Sequence, residues 1–435
     1  MTRLHAYLLG PLLSCVAPAA FAQTLPPLLT PEKVLSARHV ELSPYISETV
    51  SNGKHIPLAI GSALVPLRDD AGTTVILGLT DRGPNVALSE SDSPGEADLV
   101  IFSAPAFAPA LYPFTFQGDK IVDSPSKTFS IHGWKVVSGA PISVISESGT
   151  PFSGLPSSKR EEAPLSDNHG PLEPANERLS LDSESVTYDP TRKVLWIGEE
   201  YRPSLLAIDP HTMRVIGRRA PGSGLPKIAE LRARNRGFEG LAYLPNDTLI
   251  AALQSPVERA SSRTSESFVR FFILPADISS STDIKALALE VPKEAKRSSY
   301  KIGELAALNE HQILALETYQ DKDSEKHYHL IMLDLRSAQH LSSKEFVSGS
   351  SPAKTLARTI VLNFADFNFA SGKIEGIALL NNNKTILISK DNDFGISIKK
   401  EKDRSEVALK DTPTSFLLIE LSSPLGTPSA KQHRK

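Results

Sequence analysis

An all-β chain, a single domain of six β-propeller blades, is what the sequence predicts, and three observations carry that prediction. The first is composition: of 435 residues, 33 are Pro and 25 are Gly, while 6% are aromatic and 22% charged. Such a balance favours short strands and frequent turns over long helices. The second is a repeated hairpin plan. The third is the spacing of that repeat, whose opening acids at 184, 239, 304 and 375 lie 55, 65 and 71 residues apart, enough for four strands with loop insertions. A net charge of −3 with 40% hydrophobic residues excludes wholesale disorder and a basic polyanion binder.

Each element follows in order. Arg3, the apolar run Leu8 to Val16 and the small-x-small end Ala20-Phe21-Ala22 read as an export signal, so residues 1–22 are expected to be removed and the protein to be periplasmic or secreted. Cys15 is the only cysteine and falls inside that leader, which leaves the remaining chain without disulfide or thiol chemistry. With Leu12-Leu13-Ser14 before it, Cys15 also admits a lipobox reading, in which it anchors the protein through lipid; removal with the leader is the favoured reading. No segment reaches the roughly 18 apolar residues that span a bilayer. Residues 23–421 form the expected domain and 422–435 a frayed basic tail, too short for a nucleic-acid or membrane role.

Four segments share the hairpin plan: Asp182 to Pro190 then Val194 to Glu200, Phe238 to Pro245 then Thr248 to Gln254, Gly303 to Leu308 then Gln312 to Glu317, and Ile374 to Leu380 then Thr385 to Asp391. A fifth runs from Ser62 through the turn Asp69-Asp-Ala-Gly72 to Asp81, with Ser62 where the others have Glu. The wide gap before residue 184 leaves room for a degenerate copy using Tyr112 to Phe116 and Ile121 to Ser130, which makes six. A further apolar strand follows most hairpins, at 204–209, 268–274, 329–334 and 415–420. The polar stretches 153–178, 255–267 and 342–357 read as surface loops. A pair of β-sandwiches is disfavoured, because the repeat continues past the midpoint.

Paired antiparallel strands bring the start of the first beside the end of the second. Glu184 is therefore expected beside Glu200, Glu239 beside Gln254, Glu304 beside Glu317, Glu375 beside Asp391 and Ser62 beside Asp81. Radial blades would gather these pairs at one mouth of a channel. So many carboxylates repel one another unless something positive is bound, and an all-oxygen donor set suits Ca²⁺, with Mg²⁺ possible, better than zinc. The nearest histidine pattern, His327-x-His329, is read as part of an exposed outer strand.

Basic residues accompany the acids: Arg82, Arg202, Arg236 and Lys373 are candidates to hold a substrate phosphate. Glu239, Glu375 and Glu184 are the candidate catalytic carboxylates, with Asp81, Glu200, Glu304, Glu317 and Asp391 as metal ligands. A polar channel of mutually satisfied ion pairs is the alternative. No Gly-x-Ser-x-Gly elbow or Walker loop is present.

At these motifs the chain resembles the phytase-like family described as having esterase-like activity of phytase, mostly exported bacterial proteins. The matching segments are Leu79-Thr-Asp-Arg-Gly-Pro-Asn85; Asp182-Ser-Glu184 with Trp196-Ile-Gly-Glu-Glu-Tyr-Arg-Pro-Ser204; Asn235-Arg-Gly-Phe-Glu-Gly-Leu-Ala242 with Gln254-Ser-Pro256; and Lys373-Ile-Glu-Gly-Ile377 with Lys390-Asp-Asn-Asp393. The resemblance implies a propeller-like domain and ester or phosphoester hydrolysis. The expected function is thus an exported, monomeric, calcium-dependent hydrolase of small phosphate esters. A calcium-dependent lactonase or carboxylesterase, to whose site Asn85 and Asn392 could contribute, and a non-catalytic binding propeller are the alternatives.

Overall fold

The structure is a computed structural model that describes residues 29, 31–42, 45–89, 96–117, 120–122, 127–258, 266–280, 284–342, 352–401, 404–410 and 412–426. The expected leader with Cys15 and the tail from residue 427 lie outside them. Among the described residues there is no α-helix, and no helix long and apolar enough to cross a membrane.

Five sheets of four or five strands organise the described residues, antiparallel throughout save for the parallel pairing of Arg214–Pro221 with Gly224–Leu225. Sheet I contains Ala63–Arg68, Thr74–Leu79, Ala110–Gln117 and Ile142–Ser143; sheet II contains Ser183–Asp189, Val194–Glu199, Ser204–Asp209, Arg214–Pro221 and Gly224–Leu225. Sheet III contains Phe238–Leu244, Thr248–Leu253, Phe268–Pro275 and Lys285–Glu290; sheet IV contains Lys301–Ala307, Gln312–Gln320, Lys326–Asp334 and Ala357–Asn363. Sheet V contains Lys373–Leu380, Thr385–Asp391 and Thr414–Leu421, and its outermost strand is Val34–Leu42 from the other end of the described chain. All five expected hairpins therefore form, with a third strand outside each.

Within each sheet the first-named strand is innermost. These inner strands adjoin in the order I, II, III, IV, V and back to I. Five apolar cores match that order, one between each pair of neighbouring sheets: Ala63 and Val65 with Val186 and Ile197, Trp196 with Phe238 and Leu241, Ala242 with Ile302 and Leu305, Leu314 with Ile377 and Ile386, and Leu64 and Phe114 with Ala378 and Phe416. The second strands of sheets I and III are buried on both faces, which is why Val75–Leu79 and Leu249–Leu253 read as unbroken apolar runs rather than alternating ones.

The expected count of six is not what the described residues contain. Tyr112 to Phe116 pairs with Thr74–Leu79 as the third strand of sheet I, and Thr128–Ile131 forms a separate two-stranded ribbon with Trp134–Val137. The long gap before residue 184 is taken up instead by a small three-stranded sheet, Asn85–Ser89, Asp98–Phe102 and Glu162–Leu165. The stretch 153–178, expected as a surface loop, supplies the third of these strands and packs inward: a Cβ on Gly154 would meet the Arg82 carbonyl oxygen at 1.6 Å.

Candidate metal and hydrolase site

Local backbone irregularity aims the repeated acids. In sheet II the pairing slips between Ser183 and Ser185, in sheet III between Phe238 and Gly240, in sheet IV between Ile302 and Leu305, and in sheet V between Ile374 and Gly376. Inside each slip lies the opening acid, Glu184, Glu239, Glu304 or Glu375, joined in sheet IV by Gly303. A β-bulge leaves its extra residue unpaired and turns its side chain out of the regular alternation. After two of these acids comes a glycine that close packing requires: a Cβ on Gly240 would stand 2.9 Å from the Gly303 carbonyl oxygen, and one on Gly376 2.2 Å from Ser389 Oγ.

The acids of sheets I, II, III and V converge. One carboxylate oxygen each from Asp182, Glu184 and Glu200 lie within 4.8 Å of one another. Burial, then the Glu239, Asp182, Glu200 and Glu375 carboxylates, push Glu184 well above the usual glutamate range. Glu239 is raised likewise by burial, Glu200 and Glu375, against the pull of Lys301. Burial raises Glu375 to about 8, with Asp391 and Asp393 adding to it and Lys373 opposing. Asp391 and Asp81 each reach about 7 through burial and neighbouring carboxylates, and Asp182 about 8. Like charges in a low-dielectric setting cannot all ionise, so protons remain on the cluster close to neutral pH.

Lys373 pairs with Asp393 at 2.5 Å, and although burial opposes its charge, Glu375, Asp393, Asp391 and Asp81 hold it well above the usual lysine value. Three buried oxygens at the same strand ends, Ser62 Oγ, Gln254 Oε1 and Asp391 Oδ1, have no hydrogen-bond partner. Unpaired buried acceptors are costly. Together with an oxygen-only donor set, they fit a hard divalent cation.

Two predicted ligands stand apart. Glu304 accepts backbone N–H groups from Leu64, Ile377 and Val186 at 2.9, 2.9 and 3.3 Å. Glu317 accepts from Tyr300 Oη at 2.8 Å and Arg358 Nε at 2.6 Å, lies 3.1 Å from His329 Nδ1, and is also bonded by Arg358 Nη2. Burial works against its charge, but His329 and Arg358 hold it below the ordinary glutamate value. His329 is accordingly buried rather than on an exposed strand.

The arginines are largely committed. Arg82, itself buried, directs Nη1 to both oxygens of Glu162 at 2.7 and 2.8 Å and lies 3.3 Å from Asp182. Arg236 donates to Ser255 Oγ and the Ser298 carbonyl. Arg202 meets the exposed Glu177 at 2.6 Å and lines a cavity of about 440 Å³ with Arg160, Arg232, Glu161, Tyr201 and Glu200. Glu200 thus belongs to both the acid cluster and the cavity wall.

Sequence reasoning missed Asp182 and Glu162. Asp182 lay two residues before Glu184, the same-face spacing of a strand, and that signal was available. Glu162 belongs to no repeat and reaches the site only through the three-stranded sheet. Asp321, Glu325 and His327 also bring one ligand atom each within 4.8 Å of one another, at the turn before Lys326–Asp334; His327 Nε2 lies 3.0 Å from Asp321 Oδ2.

Residues 149–394, more than half of the chain, match the phytase-like family described as esterase-like activity of phytase. No curated protein matches the sequence. Among solved structures, an α-L-arabinofuranosidase from Podospora anserina in complex with cellotriose is similar at 11% identity, over 88% of this chain and 96% of its own, with a TM-score of 0.37. A periplasmic gluconolactonase from Pseudomonas aeruginosa is similar at 10% identity, over 82% and 88%, with a TM-score of 0.34. Superpositions this loose carry no weight for fold or chemistry.

Proposed function

Because the chain belongs to the phytase-like family, esterase-like activity of phytase, we propose that it is an exported, monomeric, calcium-dependent hydrolase of phosphate esters, with its five sheets as the blades of a β-propeller. The observation that carries this reading is the buried carboxylate cluster of Asp81, Asp182, Glu184, Glu200, Glu239, Glu375 and Asp391, whose protons or charges call for a cation. Asp182, Glu184 and Glu200 would hold the ion, with Asp81 and Asp391 beside them. A bound calcium ion supplies Lewis acidity toward an ester oxygen and lowers the pKa of water.

The chain's own residues do the rest. Glu375, titrating near 8 before a cation binds, can exchange a proton with a reacting oxygen close to neutral pH, and Glu239 stands next to it electrostatically. Arg202, on the cavity wall beside Glu200, would hold an anionic group through Nη1, whose partner, the Glu177 carboxylate, is exposed and displaceable, while Nη2 stays on the Glu177 carbonyl. Arg82 and Arg236 hold protein oxygens instead, and that commitment favours a second reading, a calcium-dependent carboxylesterase or lactonase acting on uncharged esters.

Calcium titration by calorimetry, followed by hydrolysis of p-nitrophenyl phosphate, bis-p-nitrophenyl phosphate and p-nitrophenyl acetate, separates these. Calcium-dependent release from either phosphate supports the phosphoesterase. Release from acetate alone favours the second reading. Neither binding nor turnover leaves a binding propeller with paired internal charges.

A further inference from the structure

Glu304 opens the repeat of sheet IV, yet its carboxylate faces three other sheets. Oε2 accepts the N–H groups of Leu64 in sheet I and Ile377 in sheet V, both at 2.9 Å, and Oε1 accepts that of Val186 in sheet II at 3.3 Å. The three donors are equivalent in the repeat. Each lies two residues after an opening position: Leu64 after Ser62, Val186 after Glu184 and Ile377 after Glu375.

Those N–H groups lie on the innermost strands of their sheets, where no further strand can accept them, and a buried donor without an acceptor is unfavourable. Glu304 is itself only 1% exposed, so no solvent substitutes for it. The residue between each acid and its anchored N–H is also pinned: Ser185 Oγ donates to the Phe238 carbonyl at 2.9 Å, and Gly376 has no room for a side chain. Moving Val186 or Ile377 therefore moves the bulge next to it.

We propose that Glu304 is a positioning residue, an axial pin whose carboxylate fixes the bulges that aim Glu184 and Glu375 at the metal cluster. The functional part of this inference rests on the metal-hydrolase reading above. The positional part does not. Through one side chain, four of the five inner strands share a single reference point, so the relative placement of acids from different sheets is set by Glu304 rather than by each sheet separately.

The test is Glu304→Gln, which keeps the size but replaces one acceptor oxygen by an amide donor facing a backbone N–H. In folded variant protein, calcium affinity falls about tenfold or more with unchanged stoichiometry, kcat falls more than KM rises, and a crystal structure shows the Glu184 and Glu375 carboxylates displaced. Unmoved carboxylates together with wild-type calcium affinity would overturn the proposal and leave Glu304 a structural group only. If the wild type binds no calcium, the metal reading fails and the crystal structure alone decides: displaced acids support the pin, unmoved acids refute it. Should Glu304→Gln not fold, Glu304→Asp keeps both carboxyl oxygens with a reach one methylene shorter and is judged by the same measurements.

Discussion

Compare the carboxylates around Glu184 with the one at Glu317. Both arise from the same hairpin repeat and both are largely enclosed, but Glu317 lies within the strand Gln312–Gln320 rather than at its end. Glu317 meets a guanidinium, an imidazole and a phenol within its own neighbourhood, all three donated by residues 300–358, and its carboxyl is held low. The Glu184 cluster draws on four sheets, and its carboxyls are pushed up by burial and by one another. A buried acid with cationic partners is a structural element; a group of clustered acids with too few of them could hold a cation.

Breaking the Glu317 side gives the largest effect. Arg358→Ala leaves a buried carboxylate without its cation, and stability measured by denaturant unfolding should fall by about 3–5 kcal/mol, with calcium affinity unchanged. A shift in calcium affinity would mean that the two regions are not separate.

On the cluster side the signs reverse. Glu239→Gln replaces a carboxyl that burial and its acidic neighbours already disfavour ionising, so the metal-free protein should melt no lower than the wild type, while calcium affinity drops about 10–100-fold. Loss of stability without loss of affinity would refute the cation-site reading.

Acidity sharpens the contrast. Asp81 and Asp391 titrate near 7 and Asp182 and Glu375 near 8 in the folded chain, above the unfolded value of about 4. The native state then binds more protons than the unfolded one between those limits, so metal-free stability is highest near pH 4 and is lost as pH rises to 8. Calcium should cancel that loss, and melting curves with calcium or a chelator across this range would read it. Glu317 acts oppositely: its depressed pKa contributes stability above about pH 4.5 that is lost on acidification. A metal-free melting temperature that rises from pH 5 to 8 would contradict the cluster's charge state.

The smallest effect belongs to the cavity rim. Glu177→Ala breaks an exposed pair with Arg202 and should change stability by less than about 1 kcal/mol, while lowering KM for an anionic ester by releasing Nη1, Nη2 staying on the residue 177 carbonyl. An unchanged or higher KM would place substrate elsewhere.

The hairpins were legible because their causes are local. Turn residues such as Asp69 to Gly72, apolar strand runs and an acid at each strand start are written in contiguous residues, and all five units form where the repeat places them. The neighbour rule for strand ends also found Glu184 beside Glu200. It failed for Glu304 and Glu317, since a strand end says nothing about which side chains from other strands compete for it. Arg358 lies 41 residues from Glu317, and the N–H groups on Glu304 lie 73 to 240 residues away.

What the amino-acid sequence determined by itself is an all-β chain with repeated hairpins and acids at their mouths, because strand period, turn chemistry and composition act over a few residues. Tertiary structure alone decided that five large sheets adjoin among the described residues, that residues 153–178 reach inward with Glu162, and which acids share one cluster while others are claimed by N–H groups or arginine. Those outcomes depend on packing between distant segments and on the balance of desolvation against charge, and neither has a magnitude until the segments are brought together.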